Sequence, residues 1–323
     1  MERASVAGAR VLVIGSGKAG HEVNARGVAE ALGCETVFRR IAPRALYERL
    51  APYGPMDPKE RAVFLAPPLP DIAIACGRAT VPYLRALKKA GGGRVLAVCL
   101  QDPRASRRLF DLIWTPAHDK LRGPNVLTTL TSPHPFSRRR LAEARAAPDP
   151  RLVGLPRPRA AIILGGPSGA QHFTDADMTR MRDATKAIAA QGYSLMATPS
   201  RRTPPALLEA VRTGAGAAAA FVWDGSGENP YGGMLALAES ILVTGDSANM
   251  VGEAVATGAP VYIFEPSGGA SAKLAAMVGG LIAIGAARRF TGRLESYVYA
   301  PIDSSAEIAA EIARRFESAR VAS

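Results

Sequence analysis

The chain has 323 residues, 48% of them hydrophobic and 21% charged, which fits a folded globular protein and exceeds what a single core usually serves. A formal net charge of +12, with Arg far outnumbering Lys, would suit nucleic acid, an anionic membrane surface or anionic nucleotides. The basic residues are scattered and no aromatic residues interleave with them, so nucleic acid is the weakest of the three and no nucleic-acid partner is expected.

The first predicted strand covers residues 10–14 and runs into the loop Gly15-Ser16-Gly17-Lys18-Ala19-Gly20-His21. A helix follows from Glu22 to Leu32, with Val23, Gly27, Val28 and Leu32 on its inner face and Gly33 at its end. The loop is neither a P-loop, since Ala19 follows Lys18, nor a dinucleotide fingerprint, since Gly20 and Glu35 are poorly placed. It does put His21 at the carboxyl end of a parallel strand, where open α/β sheets bind ligands, and a structural role for that histidine stays equally open.

Further strands are predicted at 35–39, 71–75, 95–100, 111–115 and 126–130, with helices at 80–89 and 137–147. Residues 41–70 read only as a loose, Pro-rich excursion with some helix. Asp102, in Gln101-Asp102-Pro103-Arg104, is a candidate catalytic carboxylate, although Asp before Pro commonly just forms a turn. Cys34, Cys76 and Cys99 lack metal spacing and read as buried free thiols in a reducing compartment. A Pro-rich stretch over 148–158 is taken as a linker, giving domains 1–155 and 156–302, with an amphipathic helix from 303 to 323 folding back on the first.

After it the pattern restarts. A strand at 160–164 leads to Gly165-Gly166-Pro167-Ser168-Gly169, and Thr174 with Asp177 forms a capping box for a helix over 175–190. The strand at 193–197 ends in Ser200-Arg201-Arg202-Thr203, two guanidinium forks suited to phosphate oxygens. Strand 218–223, a polar loop to Tyr231 and a short helix at 234–238 come next. Strand 241–243 then opens through Thr244-Gly245-Asp246-Ser247 onto a helix N-terminus, with Val251, Ala254 and Val255 on one face and strand 261–264 beyond. A helix N-terminus favours an anion, and Glu253 is placed to accept hydroxyls; a plain cap with a solvated Glu253 is the other reading. The fold class is therefore α/β, two Rossmann-like domains with parallel sheets and a ligand expected in the cleft between them. No stretch before the first strand reads as a signal peptide and no apolar run reaches spanning length.

The runs Trp223-Asp-Gly-Ser-Gly-Glu-Asn-Pro-Tyr231 and Val243-Thr-Gly-Asp-Ser-Ala-Asn-Met-Val-Gly-Glu253, with Gly20-His21-Glu22, Gly165-Gly-Pro-Ser168 and Ser200-Arg-Arg-Thr203, resemble the ELM1 family. That family is named for a plant mitochondrial fission protein and has many bacterial members; the likeness covers nearly the whole chain. The family in turn resembles GT-B glycosyltransferases. The enzyme that adds N-acetylglucosamine to the lipid-linked peptidoglycan precursor has a similar Gly-His loop, shorter before the histidine, and has Ala-Gly where Asp246-Ser247 stand here. Lipid A sugar transferases carry an Asn-Pro-Leu-Glu element similar to Asn249-Met-Val-Gly-Glu253.

The resemblance implies a metal-independent transferase that uses a nucleotide-sugar, UDP-type, as substrate with no separate cofactor. Glu253 would hold the ribose. Ser247, Ala248, Asn249 and Met250 would offer backbone N–H groups to the diphosphate, and Gly166 and Ser168 would touch phosphates. Arg201 and Arg202 would neutralise the leaving nucleotide, and His21 would be the base, with Asp102 its rival. The acceptor would be a membrane lipid or envelope glycan, which suits a basic protein in the cytoplasm attached peripherally to the inner membrane face. Two alternatives stand beside it: a non-catalytic adaptor of the mitochondrial-fission kind, and a sugar-nucleotide 2-epimerase, which would need more carboxylates around the sugar.

Overall fold

In a computed structural model, which describes residues 6–169, 171–269 and 271–321, apolar runs of five or six residues become parallel strands. The first unit comprises residues 1–135 and 303–323, the second residues 136–302.

In the first unit β1 (Val11–Gly15), α1 (Ala19–Leu32), β2 (Thr36–Arg40), α2 (Ala45–Leu50) and α3 (Arg61–Phe64) lead to β3 (Ile72–Cys76). Next come α4 (Val81–Ala90), β4 (Leu96–Leu100), β5 (Leu112–Pro116) and β6 (Val126–Thr129). The sheet order is β2-β1-β3-β4-β5-β6, all parallel. Strands β1, β3 and β4 are buried along their whole length, as continuous apolar runs in a parallel sheet require. Alternate side chains feed opposite faces. Val11 and Val13 join Val28 of α1 in one core, and Leu12 and Ile14 join Leu84 and Leu87 of α4 in the other. The inner face of α1 is Ala25, Val28 and Ala29; Val23 and Leu32, expected there, are only half-buried. Cys76 and Cys99 are buried free thiols, while Cys34 is half-buried.

The second unit holds α5 (Arg138–Ala146), α6 (Pro150–Val153), β7 (Arg159–Leu164), α7 (Asp175–Ala190), β8 (Ser194–Pro199) and α8 (Pro205–Ala215). It continues with β9 (Ala220–Val222), α9 (Tyr231–Leu237), β10 (Ser240–Thr244), α10 (Ala248–Val255), β11 (Val261–Phe264), α11 (Ala272–Ala283) and β12 (Arg288–Arg289). Its sheet runs β12-β11-β10-β7-β8-β9, again parallel. The capping box of Thr174 and Asp177 is formed.

The chain passes into the second unit at Phe136, about twenty residues before the boundary read from the prolines. Arg145 Nε of α5 donates to the Ala236 carbonyl at 2.8 Å, and Leu152 of α6 is fully buried. Pro150 therefore starts a helix turn inside the second unit, while Pro156 and Pro158 are exposed just before β7. The last helix, α12 (Ser304–Val321), packs on α1 through Ile308, Ile312 and Phe316. Its start is pinned by Ser304 Oγ 2.6 Å from Thr131 Oγ1, and by Ser305 Oγ, which accepts from His134 N–H and donates to His134 O, both at 2.7 Å. No helix among the described residues is long and apolar enough to cross a membrane.

Candidate functional site

An open parallel sheet has a crevice where its strand order reverses, at the carboxyl ends of the two strands that part there. In these sheets the reversals fall between β1 and β3 and between β7 and β10.

At the first reversal, His21 lies in the first turn of α1 with Nδ1 3.0 Å from Ser16 Oγ. A Cβ on Gly77, just after β3, would stand 2.4 Å from His21 Cε1, so the imidazole occupies space that only glycine leaves, and φ of +89° suits glycine there. Burial, and then the charge of Lys18, lower the His21 pKa against a hydrogen bond to the Cys76 backbone, so the ring is neutral at pH 7. The preceding loop is fixed by Glu22, a residue to which the sequence analysis assigns no role of its own. Its Oε1 accepts from Gly17 N–H at 2.9 Å, and Arg40 grips both oxygens at 2.7 and 2.6 Å. That guanidinium holds the carboxyl below its ordinary range.

Asp102 follows β4, one strand beyond the reversal. It is exposed, and its Oδ1 accepts from Arg104 N–H at 2.8 Å inside a tight turn where Gln101 and Arg104 adopt φ of 74° and 52°. The structure thus shows Asp102 forming its own turn and puts His21, not Asp102, at the reversal.

At the second reversal three loops are tied together. Gly165 N–H donates to Thr244 Oγ1 at 2.7 Å, and Gly166 N–H to Asp246 Oδ2 at 2.8 Å. Arg202 Nη1 donates to the Pro167 carbonyl at 3.0 Å, and Ser200 N–H to Thr203 Oγ1 at 2.8 Å. The glycines serve close approach: a Cβ on Gly165 would stand 2.1 Å from Asp246 Oδ2, and one on Gly166 2.2 Å from the Arg202 carbonyl oxygen. Ser168 exchanges backbone hydrogen bonds with Gln171 at 2.9 Å in both directions, leaving its hydroxyl without a partner among the described residues. Arg201 and Arg202 are exposed, and Arg201 has no ion pair among those residues.

Helix α10 begins beside these loops. Ser247 is its cap, with Oγ accepting from Met250 N–H at 3.4 Å. The N–H groups of Ala248 and Asn249 have no acceptor among the described residues, as the first turn of a helix leaves them. Met250 N–H, expected from the family resemblance to face a diphosphate, is taken by the cap. Asp246 is 5% exposed, its Oδ1 has no partner, and burial raises its pKa against Thr244, Gly166 and Arg202.

Glu253, in the second turn of α10, is 7% exposed. Its Oε2 accepts from Tyr231 O–H at 2.5 Å, while Oε1 has no partner among the described residues and is not sealed from solvent. Burial pushes its pKa up to about 7, the Tyr231 hydrogen bond offsetting only part. It is therefore not a solvated first-turn acid, and one of its two oxygens is already engaged. Sequence reasoning missed Tyr231. The loop before it shows why the residue is held: Asn229 Nδ2 donates to Thr198 Oγ1 at 3.0 Å, Trp223 Nε1 to the Ser226 carbonyl at 2.8 Å, and the Tyr231 ring meets Phe136 edge-on at 5.4 Å. No group of three or more His, Cys, Asp or Glu side chains is gathered for a metal among the described residues.

Comparison with known proteins bears on both units. The model of the family described as Mitochondrial fission ELM1 matches residues 19–316. The chain is 29% identical over 273 residues to the mitochondrial fission protein ELM1 of Arabidopsis thaliana, covering 76% of this chain and 64% of that protein. It is 30% identical over 158 residues to an uncharacterized protein of Rickettsia prowazekii, 46% of this chain and 44% of that one. The chain thus spans less than two thirds of these relatives' lengths. Among solved structures, a UDP-GlcNAc 2-epimerase from Methanocaldococcus jannaschii superposes with a TM-score of 0.52 at 10% identity, covering 96% of this chain and 99% of that one. The spinosyn forosaminyltransferase SpnP superposes with a TM-score of 0.50 at 13% identity, covering 97% and 96%. At such identities the likeness is one of fold, and the fold is of the GT-B type. With the family match extending over almost its whole length, the chain belongs to the mitochondrial fission ELM1 family.

Proposed function

We propose that the chain is a glycosyltransferase that takes a nucleotide-sugar, UDP-type, as donor at the β7/β10 reversal, without a separate cofactor or metal. The observation that carries this reading is the environment of Glu253: a buried carboxylate with one oxygen fixed by Tyr231 and the other open, one helical turn past two unpaired N–H groups. A ribose hydroxyl matches the open oxygen, and a diphosphate matches the N–H groups of Ala248 and Asn249. Gly166 and Ser168 line the phosphates' path, and Arg201 and Arg202 offset the charge that grows on the leaving nucleotide. In the transfer, the acceptor oxygen bonds to the anomeric carbon as the carbon–oxygen bond to the diphosphate breaks. The electron pair departs with the nucleoside diphosphate, and the acceptor proton passes to a general base, the role for which neutral His21 is our candidate. The acceptor in this reading is a lipid or glycan at an anionic membrane surface, and the protein attaches there peripherally on the cytoplasmic side.

A thermal-shift panel of UDP, GDP, CMP and their sugars tests the reading. One nucleotide class at a hundredfold excess over its Kd should stabilise the fold by about 3 kcal/mol, with the gain reduced in Glu253→Gln. No stabilisation by any nucleotide contradicts it and turns the search to a binding partner. Loss of C2 configuration in the donor with no acceptor present would make the enzyme an epimerase instead.

A further inference from the structure

The excursion between β2 and β3 leaves an unusual share of apolar surface in water. Helix α2, Ala-Leu-Tyr-Glu-Arg-Leu, buries none of its residues. Leu46 is 62% exposed, Leu50 46%, Tyr53 73% and Val63 52%. Single exposed apolar residues are ordinary, but these four fall within eighteen positions. A Cβ on Gly54 would touch Leu50 Cβ, and Gly54 lines an open groove of about 890 Å³ that also takes in Arg61 and Leu65, on either side of Val63.

That groove is strongly basic. Arg61, Arg85, Lys88, Lys89 and Arg108 line it and no acidic residue does. Lys88 is paired with Asp111 at 2.6 Å, and Arg85 is spent on the carbonyls of Pro52 and Tyr53 at 3.0 and 2.9 Å. Arg61, Lys89 and Arg108 are exposed and make no ion pair among the described residues. Three free cations around a concavity suit phosphate groups. A soluble phosphate would give no reason for Leu50, beside Gly54, and Tyr53, whose carbonyl Arg85 holds, to stand in water next to the groove, whereas a bilayer surface supplies anions and an apolar layer together.

We propose that the α2 segment and the groove beside it form a docking surface for an anionic lipid bilayer. Leu46, Leu50 and Tyr53 enter the interfacial layer, and Arg61, Lys89 and Arg108 meet lipid phosphates. The proposal gives a place to the membrane part of the reading above and does not depend on nucleotide binding.

Vesicle flotation of the full chain tests it, with phosphatidylcholine alone and with phosphatidylglycerol added. The wild type should float with the mixed vesicles and not with phosphatidylcholine, and should detach as salt rises. Leu50→Asp with Tyr53→Asp, and separately Lys89→Glu with Arg108→Glu, should each weaken binding by about tenfold or more. Arg138→Glu with Arg139→Glu, exposed charges on α5 whose reversal removes the same charge outside the groove, should leave binding within about twofold. Leu46→Asp, at a mostly exposed position, guards against a folding defect and should act in the same direction. Absence of flotation with either vesicle overturns the proposal. So does a loss of binding as large for the α5 variant as for the groove variant, which would mean diffuse charge attraction. A failed test leaves the nucleotide reading standing, because the panel of nucleotides needs no membrane.

Discussion

The two strand-order reversals share a topology and differ in how they treat their acids. At the first, both oxygens of Glu22 are met by Arg40 and one also by Gly17, so it fixes the loop that leads to His21. At the second, Asp246 and Glu253 are buried, and among the described residues neither makes an ion pair and each keeps an oxygen without a hydrogen-bond partner. A buried carboxylate without such a partner costs stability unless a ligand or proton meets it. The contrast separates an acid matched at folding from two acids that, in the proposed function, lie where the donor binds.

The largest effect should come from His21. His21→Ala should reduce turnover about a thousandfold and change nucleotide affinity by less than about twofold, as expected for a general base that does not hold the donor; assays of initial rate and of binding on the same preparation check this. Stability against pH sharpens the contrast next. Unfolded, Glu253 releases its proton near 4.5, and folded near 7. Between those values the folded state holds a proton that the unfolded state has lost, so stability falls as pH rises through the window, by about 3 kcal/mol. Glu253→Gln should remove that fall and be the more stable protein at pH 8 in urea titrations.

Glycine replacements come third. Gly165→Ala would drive a methyl into the buried Asp246 carboxylate and should cost about 2 to 3 kcal/mol. Gly77→Ala meets an imidazole able to swing aside and should cost about 1 kcal/mol, mostly from its positive φ; equal costs in denaturation experiments would erase the distinction. The smallest effect belongs to Glu22→Gln. The Glu22 pKa is depressed, so its contribution is present above the ordinary carboxylate range and lost as pH falls, opposite in sign to Glu253 and visible only below about pH 5. The exposure of Arg40 keeps it small.

Much of this was legible in the sequence. Parallel strands that are buried on both faces write themselves as short β-branched runs, as in β1, β3 and β10, and the glycines after them mark the loops at their carboxyl ends. Helices α8 and α11 were not read, because Gly and Ala blur their apolar stripe; neither was β12, a two-residue strand at the sheet edge. The boundary expected from the prolines differs from the start of the second unit at Phe136, because prolines signal a break in regular structure without saying which unit the break belongs to. The site was only partly legible for a deeper reason. Residue type locates Glu253 on a helix, but its pairing with Tyr231 joins positions 22 residues apart and depends on tertiary packing that no local spacing encodes. The same holds for His21 against Gly77.

The most direct test of the central claim, that Glu253 receives a ribose, is calorimetric titration of UDP against its 2′,3′-dideoxy analogue with wild type and Glu253→Gln. The account predicts about tenfold weaker binding of the dideoxy analogue by the wild type, the worth of one hydrogen bond to a charged group, and near-equal binding of both by the variant. Equal affinity of the wild type for the two nucleotides would contradict it.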